Sequence, residues 1–278
     1  MSLLKLSWRN IVTKPLSSGL SILLLSSGII IILITLLTFK QIEDKFKSNS
    51  SNIDLVVGAK GSRLQLVLCN IFHVDQPTGN ILYARTKAIS KHPFVKMAIP
   101  LSLGDSYNSY RIVGTSNEYI DSLYKGNISK GRHWKQPMEV VIGSSINNKL
   151  GLNIDDEFIG NHGIGESIHS HDEFKYKVVG ILKQNNTVLD NLILTSLESV
   201  WIVHGGESQL KKGSFELLSQ SQIDSINKEQ DHHEHHHHHH EHHSEKEDTY
   251  KNILDKIDLK DREITSLLVK YSSPRGKF

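Results

Sequence analysis

A run of 24 residues without a charged side chain, from Leu16 to Phe39, is the feature that most constrains this chain. As a helix it would be about 36 Å long, enough to cross a hydrocarbon core of ~30 Å with some tilt. A cleaved signal peptide would have a shorter apolar core, of about 7–15 residues, and a small-residue cleavage site. Because this run is longer and continues into Lys40, we expect a retained transmembrane helix over residues 16–39.

The charges that flank the run predict its orientation. Three basic residues and no acidic residue precede it, whereas Glu43 and Asp44 dilute the lysines that follow it. The positive-inside rule therefore favours a cytosolic N-terminus and an extracytoplasmic location for the rest of the chain. We expect residues 1–15 to form an amphipathic segment on the cytosolic surface of the inner (plasma) membrane.

Small residues recur along one side of the predicted helix. Ser21, Gly28 and Thr35 are seven residues apart, which places them on one slowly drifting face. Small residues in line let another helix approach closely, so these three are candidates for helix packing. Small residues are also common in membrane helices generally, and the sequence alone leaves both interpretations open.

Short strands and helices are predicted after the apolar run. Strands are expected at 53–57, 95–103, 107–114, 139–142, 157–159, 174–182, 192–195 and 264–271, and helices at 62–70, 83–92, 117–124, 144–150 and 196–203. A Gly-Asp-Ser turn at residues 104–106 is predicted to join two of the strands in a hairpin. The elements lack the regular spacing of a doubly wound sheet. The predicted fold class is therefore α+β, with one N-terminal transmembrane helix followed by a two-lobed mixed α/β extracytoplasmic domain.

Three stretches of the sequence together are similar to a known family. They are Trp8-Arg9-Asn10-Ile11 before the apolar run; Arg111-Ile112-Val113-Gly114-Thr115 with Glu139-Val140-Val141-Ile142-Gly143 and Lys149-Leu150-Gly151; and Tyr176-Lys177-Val178-Val179-Gly180-Ile181-Leu182 with Leu189-Asp190 and Leu192-Ile193-Leu194. In this order and spacing they resemble the first transmembrane helix and the periplasmic core domain of MacB-type and FtsX-type ABC transporter permeases. On that resemblance the core domain covers residues 40–204, with a return segment at 251–278.

The resemblance implies a permease subunit, or a fragment of one, in an ABC-type transport or mechanotransmission system. Its exported domain would relay motion driven by a separate cytosolic ABC ATPase subunit, and the membrane partner would be a second copy or another permease chain. Members of this family carry three further spans after the exported domain, so we expect a form truncated before those helices.

Other functional classes find little support in the sequence. The net charge of +2 is not gathered into a basic stripe, which argues against nucleic acid as a partner. G-x-S-x-G does not occur, H-E-x-x-H occurs only inside the low-complexity histidine tract at residues 233–237, and Cys69, the single cysteine, has no nucleophile signature around it. We therefore expect no catalytic activity in this chain and no required cofactor.

Histidines are unusually frequent, with 17 in the chain. Ten of them form one tract, within a polar insertion at residues 205–250 that is too poor in apolar residues to form a core and is predicted to be mobile: His232, His233, His235, His236, His237, His238, His239, His240, His242 and His243. Neutral imidazoles bind Zn²⁺ and other transition metals, so metal binding is predicted here. A tolerated loop insertion without a physiological metal is the alternative.

A second candidate metal set is formed by His162, His169 and His171. In an extended segment the His-x-His pair would point both rings to one side and could hold a metal if a third ligand arrived. A solvated hairpin loop is the interpretation that we favour. The alternative function is accordingly a membrane-tethered metal-binding sensor or scavenger. His73 and His204 stand alone in the sequence and are predicted to be structural.

Overall fold

The computed structural model describes residues 12–162, 170–204, 254 and 262–272, and the chain divides into two compact units, Met1–Ser48 and Asn49–Phe278. The described helices are α1 (Pro15–Ser50), α2 (Arg63–Ile71), α3 (Tyr83–Ser90), α4 (Ser144–Leu150) and α5 (197–204). The strands are β1 (Leu55–Gly58), β2 (Ile81–Leu82), β3 (Val95–Tyr107), β4 (Tyr110–Thr115), β5 (Ile128–Gly131), β6 (Glu139–Ile142), β7 (Glu157–His162), β8 (Ser170–Leu182), β9 (Leu192–Ser196), β10 (Glu263–Ile264) and β11 (Ser266–Tyr271). A π-helical turn at Tyr119–Leu123 and a 3₁₀ turn at Val188–Asn191 complete the described structure.

The helix α1 runs without a break for 36 residues, or about 54 Å. Proline is tolerated at its first position because the missing N–H would have no partner in the helix there. Every Leu, Ile and Phe between Leu16 and Phe39 is at least 50% exposed. The helix is therefore long and apolar enough to cross a membrane, by length and by composition.

The helix α1 also extends further than the sequence analysis expected. The predicted span ends at Phe39, but the helix continues through residues 40–50. Ion pairs one turn apart, Lys40 with Asp44 and Lys47 with Glu43, lie on this polar extension. Both pairs are exposed to solvent, so their contribution to helix stability is small. The extension stays helical because no glycine or proline interrupts it.

The second unit is built on a nine-stranded sheet with the strand order β1-β11-β3-β4-β9-β6-β8-β5, and β7 pairs with both β3 and β8. The pairs β3–β4, β4–β9, β9–β6, β6–β8, β8–β7 and β7–β3 close a ring of six strands. Two of these pairs, β4–β9 and β6–β8, are parallel. β10 and β2 form a separate two-stranded sheet.

Both faces of the central strands are buried. On β9, Leu192 and Leu194 lie in one hydrophobic cluster, whereas Ile193 between them lies in another. β6 alternates in the same way, with Val141 in the first cluster and its neighbours in the second. Strands covered on both faces have continuous apolar sequences, which is why these two were readily predicted.

The hairpin turn predicted at residues 104–106 is wrong. β3 continues through these residues to Tyr107, and its pairing with β4 shifts register between Leu103 and Ser106, as at a β-bulge. A glycine inside a strand often marks such a bulge. The chain reverses instead at Asn108 and Ser109, whose φ angles are +45° and +68°. Two residues with positive φ form the kind of turn that matches the twist of paired strands.

The predicted α+β class with one N-terminal apolar helix is confirmed. Where two lobes were expected, nine of the eleven described strands are joined by continuous pairing and residues 49–278 form one compact unit. The predicted strands at 139–142 and 192–195 and the helix at 144–150 lie where they were expected. The edge strand Ile128–Gly131 was missed because a single apolar residue gives no periodic pattern.

Two glycines at the ends of α4 provide a test of the packing. Gly143→Ala would bring the new Cβ to 2.2 Å from the carbonyl oxygen of Leu189, whereas Gly151→Ala would meet nothing within 4 Å and suffers only from a φ of +71°. We expect Gly143→Ala to lower the free energy of unfolding by about 3 kcal/mol or more, and Gly151→Ala by about 1 kcal/mol. Urea unfolding of the full-length chain in detergent, followed by near-UV circular dichroism, measures both. Equal losses would contradict the close approach at Gly143.

Candidate functional site

The face of α1 that carries Ser21, Gly28 and Thr35 has no unpaired hydroxyl. The Ser21 hydroxyl donates to the carbonyl of Ser17 at 2.9 Å, and the Thr35 hydroxyl donates to that of Ile31 at 2.8 Å. A Cβ at Gly28 would meet nothing within 4 Å. The predicted packing residues thus form a shallow surface whose polar groups are satisfied within the helix, as hydrocarbon surroundings require.

Asn49, which is both the penultimate residue of α1 and the first residue of the sheet domain, begins a buried polar network. Its side-chain oxygen accepts a hydrogen bond from the backbone N–H of Val188 at 3.0 Å. Its carbonyl oxygen accepts one from the Tyr124 hydroxyl at 3.2 Å. Asn52, three residues later, donates to the carbonyl of Leu123 at 2.7 Å. The chain that leaves α1 is therefore fixed to two separate turns of the domain.

The network continues from Tyr124 to Tyr119 and His73. The rings of Tyr119 and Tyr124 meet edge to face at 5.1 Å. His73 Nε2 lies 2.8 Å from the Tyr119 hydroxyl oxygen. Which of the two atoms donates depends on the tautomer of the His73 ring. The result is a buried chain of contacts from His73 through both tyrosines to Asn49, with a hydrogen bond at each end.

Burial dominates the ionisation of this network. It lowers the pKa of His73 from 6.5 to about 3, with a further lowering by the cation of Arg111. His73 Nδ1 is buried and has no hydrogen-bond partner among the described residues. Burial also raises the pKa of Tyr119 and of Tyr124 well above the usual range. All three side chains are therefore neutral near pH 7, and protonation of His73 would bury an uncompensated charge.

Arg111 on β4 places a buried guanidinium group beside this network. It is 6% exposed and donates to the backbone carbonyl of Asp75 at 2.8 Å and to the Cys69 sulfur at 3.5 Å. Burial raises the pKa of the Cys69 thiol, and Arg111 offsets part of that rise. Cys69 is therefore a packed thiol rather than an activated nucleophile, which fits the absence of a nucleophile signature in the sequence.

A second polar cluster lies at the bulge of β3. The Asp105 carboxylate is 4% exposed, His204 Nε2 lies 3.7 Å from it, and burial together with this carboxylate raises the pKa of the Tyr176 phenol. A Cβ at Gly104 would lie 2.9 Å from the same imidazole nitrogen, so the glycine leaves room for the ring. His73 and His204, predicted to be structural, therefore each contact a partner inside the domain.

The predicted metal ligands fall mostly outside the described residues. The tract from His232 to His243 and His169 lie in residues that the structure does not describe, and only the backbone positions of His162 and His171, on β7 and β8, are given. Within the described ranges, no group of three or more His, Cys, Asp or Glu side chains could hold a metal ion. Metal binding by these histidines stays a prediction.

Sequence reasoning missed the buried network because its members are far apart along the chain. Asn49, His73 and the turn that carries Tyr119 and Tyr124 are separated by more than 20 residues each and form no motif. The left-handed backbone of His73, with a φ of +57°, is also not encoded by a glycine. One signal was present: Arg111 interrupts an otherwise apolar strand, and a cation in such a position needs partners.

Comparison with known proteins gives similarity to solved structures alone. No protein-family model matches the chain, and no curated protein sequence matches it. The extracellular domain of the noncanonic ABC-type transporter YknZ from Gram-positive bacteria is 10% identical, over 80% of this chain and 86% of that one, with a TM-score of 0.36. The periplasmic region of MacB from Actinobacillus actinomycetemcomitans is 13% identical, over 55% of this chain and 70% of that one, with a TM-score of 0.35.

The depressed pKa of His73 predicts a loss of stability in mild acid. The unfolded chain takes up a proton at this residue below about pH 6.5, whereas the folded chain stays neutral there until about pH 3. The stability that depends on a neutral His73 is therefore fully present above pH 6.5. As the pH falls below this value, the free energy of unfolding decreases by up to ~1.4 kcal/mol per pH unit. We expect His73→Asn, in which asparagine tolerates the positive φ, to flatten the slope of unfolding free energy between pH 6.5 and 5 by about this amount. Urea unfolding of full-length wild type and His73→Asn at several pH values measures the two slopes. Equal slopes would contradict the depressed pKa of His73.

Proposed function

We propose that this chain is a permease component of an ABC-type transport or mechanotransmission system, acting with a separate cytosolic ATPase. In this proposal α1 crosses the membrane with its N-terminus in the cytosol, and the sheet domain is extracytoplasmic. Support comes from the three sequence stretches that resemble MacB-type and FtsX-type permeases and from the charges flanking the apolar run. The cargo is not part of the proposal.

The uninterrupted course of α1 is the observation that carries the proposal. A helix that ended at the membrane surface and continued as a flexible linker would lose any displacement of the span before it reached the domain. Here the same helix contains the apolar run, continues through the polar residues 40–48 and ends at Ser50. In this proposal the continuous helix carries a displacement of the span to residue 49.

The hydrogen bonds of Asn49 would distribute that displacement inside the domain. Val188 leads into β9, a strand of the six-stranded ring, and Tyr124 closes the π-helical turn that follows β4. The contact with Tyr124 is buried and the contact with Val188 is partly buried, so both are shielded from competition by water. The parallel pair β4–β9 is then the first part of the sheet to receive a movement of α1.

Purification from its own membrane tests the proposed partnership. We expect an ABC-type ATPase subunit to co-purify with the full-length chain in mild detergent, and nucleotide hydrolysis to be measurable in the complex. Purification from the same membrane without any ATPase, under conditions that preserve other complexes, would overturn the permease proposal.

A proline substitution tests the role of the helical extension. Asp44→Pro removes a backbone N–H and kinks the helix outside the apolar run, whereas Asp44→Ala removes the same ion pair with Lys40 and keeps the helix. We expect ATP with vanadate to change the amide exchange of the sheet domain in wild type and in Asp44→Ala, and to leave it unchanged in Asp44→Pro. If Asp44→Pro responds like wild type while still binding the ATPase, the helix does not relay the motion.

The small-residue face of α1 is proposed to pack against another membrane helix. Gly28→Leu adds bulk to this face, and Ser26→Leu makes a similar change about 200° around the helix, on the opposite side. We expect Gly28→Leu to weaken association in lipid vesicles by about fivefold to tenfold, and Ser26→Leu to leave it unchanged. Energy transfer between labelled full-length chains measures association with a second copy, and recovery of the co-purified complex measures association with a partner chain. Equal effects of the two leucines on both readouts would contradict a specific packing face.

A further inference from the structure

An open groove of about 650 Å³ lies along one flank of β3 in the sheet domain. One wall consists of five consecutive residues of that strand, Lys96–Pro100. The other wall is formed where the parallel strands β4 and β9 end, at Thr115 and Ser196, and where the following turns begin. Trp134 and Tyr83 also line it. The groove is of the size that usually accommodates small molecules or short peptides.

The groove follows the edge of β3 rather than one of its faces. Successive side chains of a strand point to opposite faces, so a cavity on one face would be lined by alternate residues. β3 pairs with β11 along Val95–Leu101, but its pairing with β4 begins only at Ser102. In the described part of the chain, the first half of β3 is thus paired on one side only.

The direction of the backbone groups can be read from two neighbouring residues. The Pro100 carbonyl accepts a hydrogen bond from the Thr115 hydroxyl at 2.9 Å, on the groove side. The Leu101 carbonyl accepts one from the Thr265 N–H at 2.8 Å, on the side of β11. Because backbone direction alternates along a strand, Ala98 presents its N–H and its C=O to the groove.

We propose that this groove binds a short extended segment of a partner protein, which pairs with Ala98 as an added strand and carries a basic side chain. The Ala98 N–H and C=O provide one backbone donor and one backbone acceptor, and an extended peptide can pair with both through its own C=O and N–H. Asn117 Oδ1, at the groove, is buried and has no hydrogen-bond partner in the described structure, so it suits an incoming N–H. The groove belongs to the sheet domain alone, and the proposal does not depend on α1 or on an ATPase.

The charges at the groove favour a basic segment. Among the residues that line the groove, Glu118 and Glu198 outnumber Lys96 by one charge. Lys87 lies outside this lining, with its Nζ 5.5 Å from the centre of the Tyr83 ring, so this ring already accepts one cation. An aromatic ring beside a carboxylate suits a lysine or arginine side chain, which has an apolar stem and a charged end.

Two features limit the length of the segment. Pro100 has no N–H to offer, so pairing stops there. At the other end the register between β3 and β11 shifts opposite Tyr271, between Met97 and Val95, which interrupts the regular edge. Both features also discourage open-ended sheet growth between copies of the chain. The groove therefore favours a segment of roughly three to five residues over a long strand.

Selection from a library of linear heptapeptides displayed on phage tests the proposal with the full-length chain in detergent. We expect enriched peptides to contain lysine or arginine among β-branched residues. A synthetic selected peptide should bind at least tenfold more weakly to Ala98→Pro and to Glu198→Lys than to wild type. Ala98→Ser, which keeps the N–H, and Glu157→Lys, which makes the same charge change at an exposed site, are the matched controls and should bind as wild type does.

Amide exchange supplies a direct readout of pairing at Ala98. Saturating peptide should slow exchange of the Ala98 N–H at least tenfold in wild type. Ala98→Pro is expected to fold, because the Ala98 N–H does not form a hydrogen bond with β11. Glu198→Lys tests the groove independently, since it leaves the backbone unchanged. The proposal is overturned if no peptide is enriched, or if selected peptides bind Ala98→Pro as tightly as wild type. It is also overturned if the chain self-associates and Ala98→Pro abolishes this self-association, because the occupant of the groove would then be a second copy of the chain.

Discussion

The hydrogen bonds that Asn49 makes with Val188 and Tyr124 are the interaction on which the sheet domain depends at its entry point. Asn49 lies in the last turn of a long helix, and the residues after it must enter a sheet covered by apolar side chains on both faces. A backbone that passes from helix to sheet inside such a core leaves polar groups that water cannot reach. The side-chain amide and the carbonyl of one asparagine meet that need at a single position.

The polar contacts that begin at Asn49 continue through Tyr124 and Tyr119 to His73. Tyr124 donates to Asn49 and meets Tyr119 edge to face, and the Tyr119 hydroxyl is hydrogen-bonded to His73. Every member is neutral near pH 7. Burial, assisted by the cation of Arg111, keeps the imidazole from charging, and Arg111 also anchors the loop that follows α2 through the Asp75 carbonyl. The network is therefore a connector between turns, and its chemistry is unsuited to proton exchange with solvent near neutral pH.

Much of the fold could be predicted from patterns of apolar residues, and little of the site could. The apolar helix, the buried strands β6 and β9 and the helix capped by Gly151 carry signals confined to a few consecutive residues. The hairpin turn was predicted at Gly104 because glycine is a stronger turn signal than the residues at Asn108 and Ser109, where the chain reverses. In the structure Gly104 lies at a β-bulge instead. The network and the edge of β3 depend on which strands become neighbours. That information is not contained in any short window of sequence.

The closed ring of six strands has a mechanical consequence. In an open sheet, strands can be peeled one after another from a free edge, and the sheet bends about the bonds between them. A closed ring of strands has no free edge, because β7 pairs with both β3 and β8 and closes the ring. Detaching any one of its strands requires two strand pairs to separate together. The barrel-like part of the domain should therefore respond to a pull as a stiff body that pivots, with the compliance left to the turns that surround it.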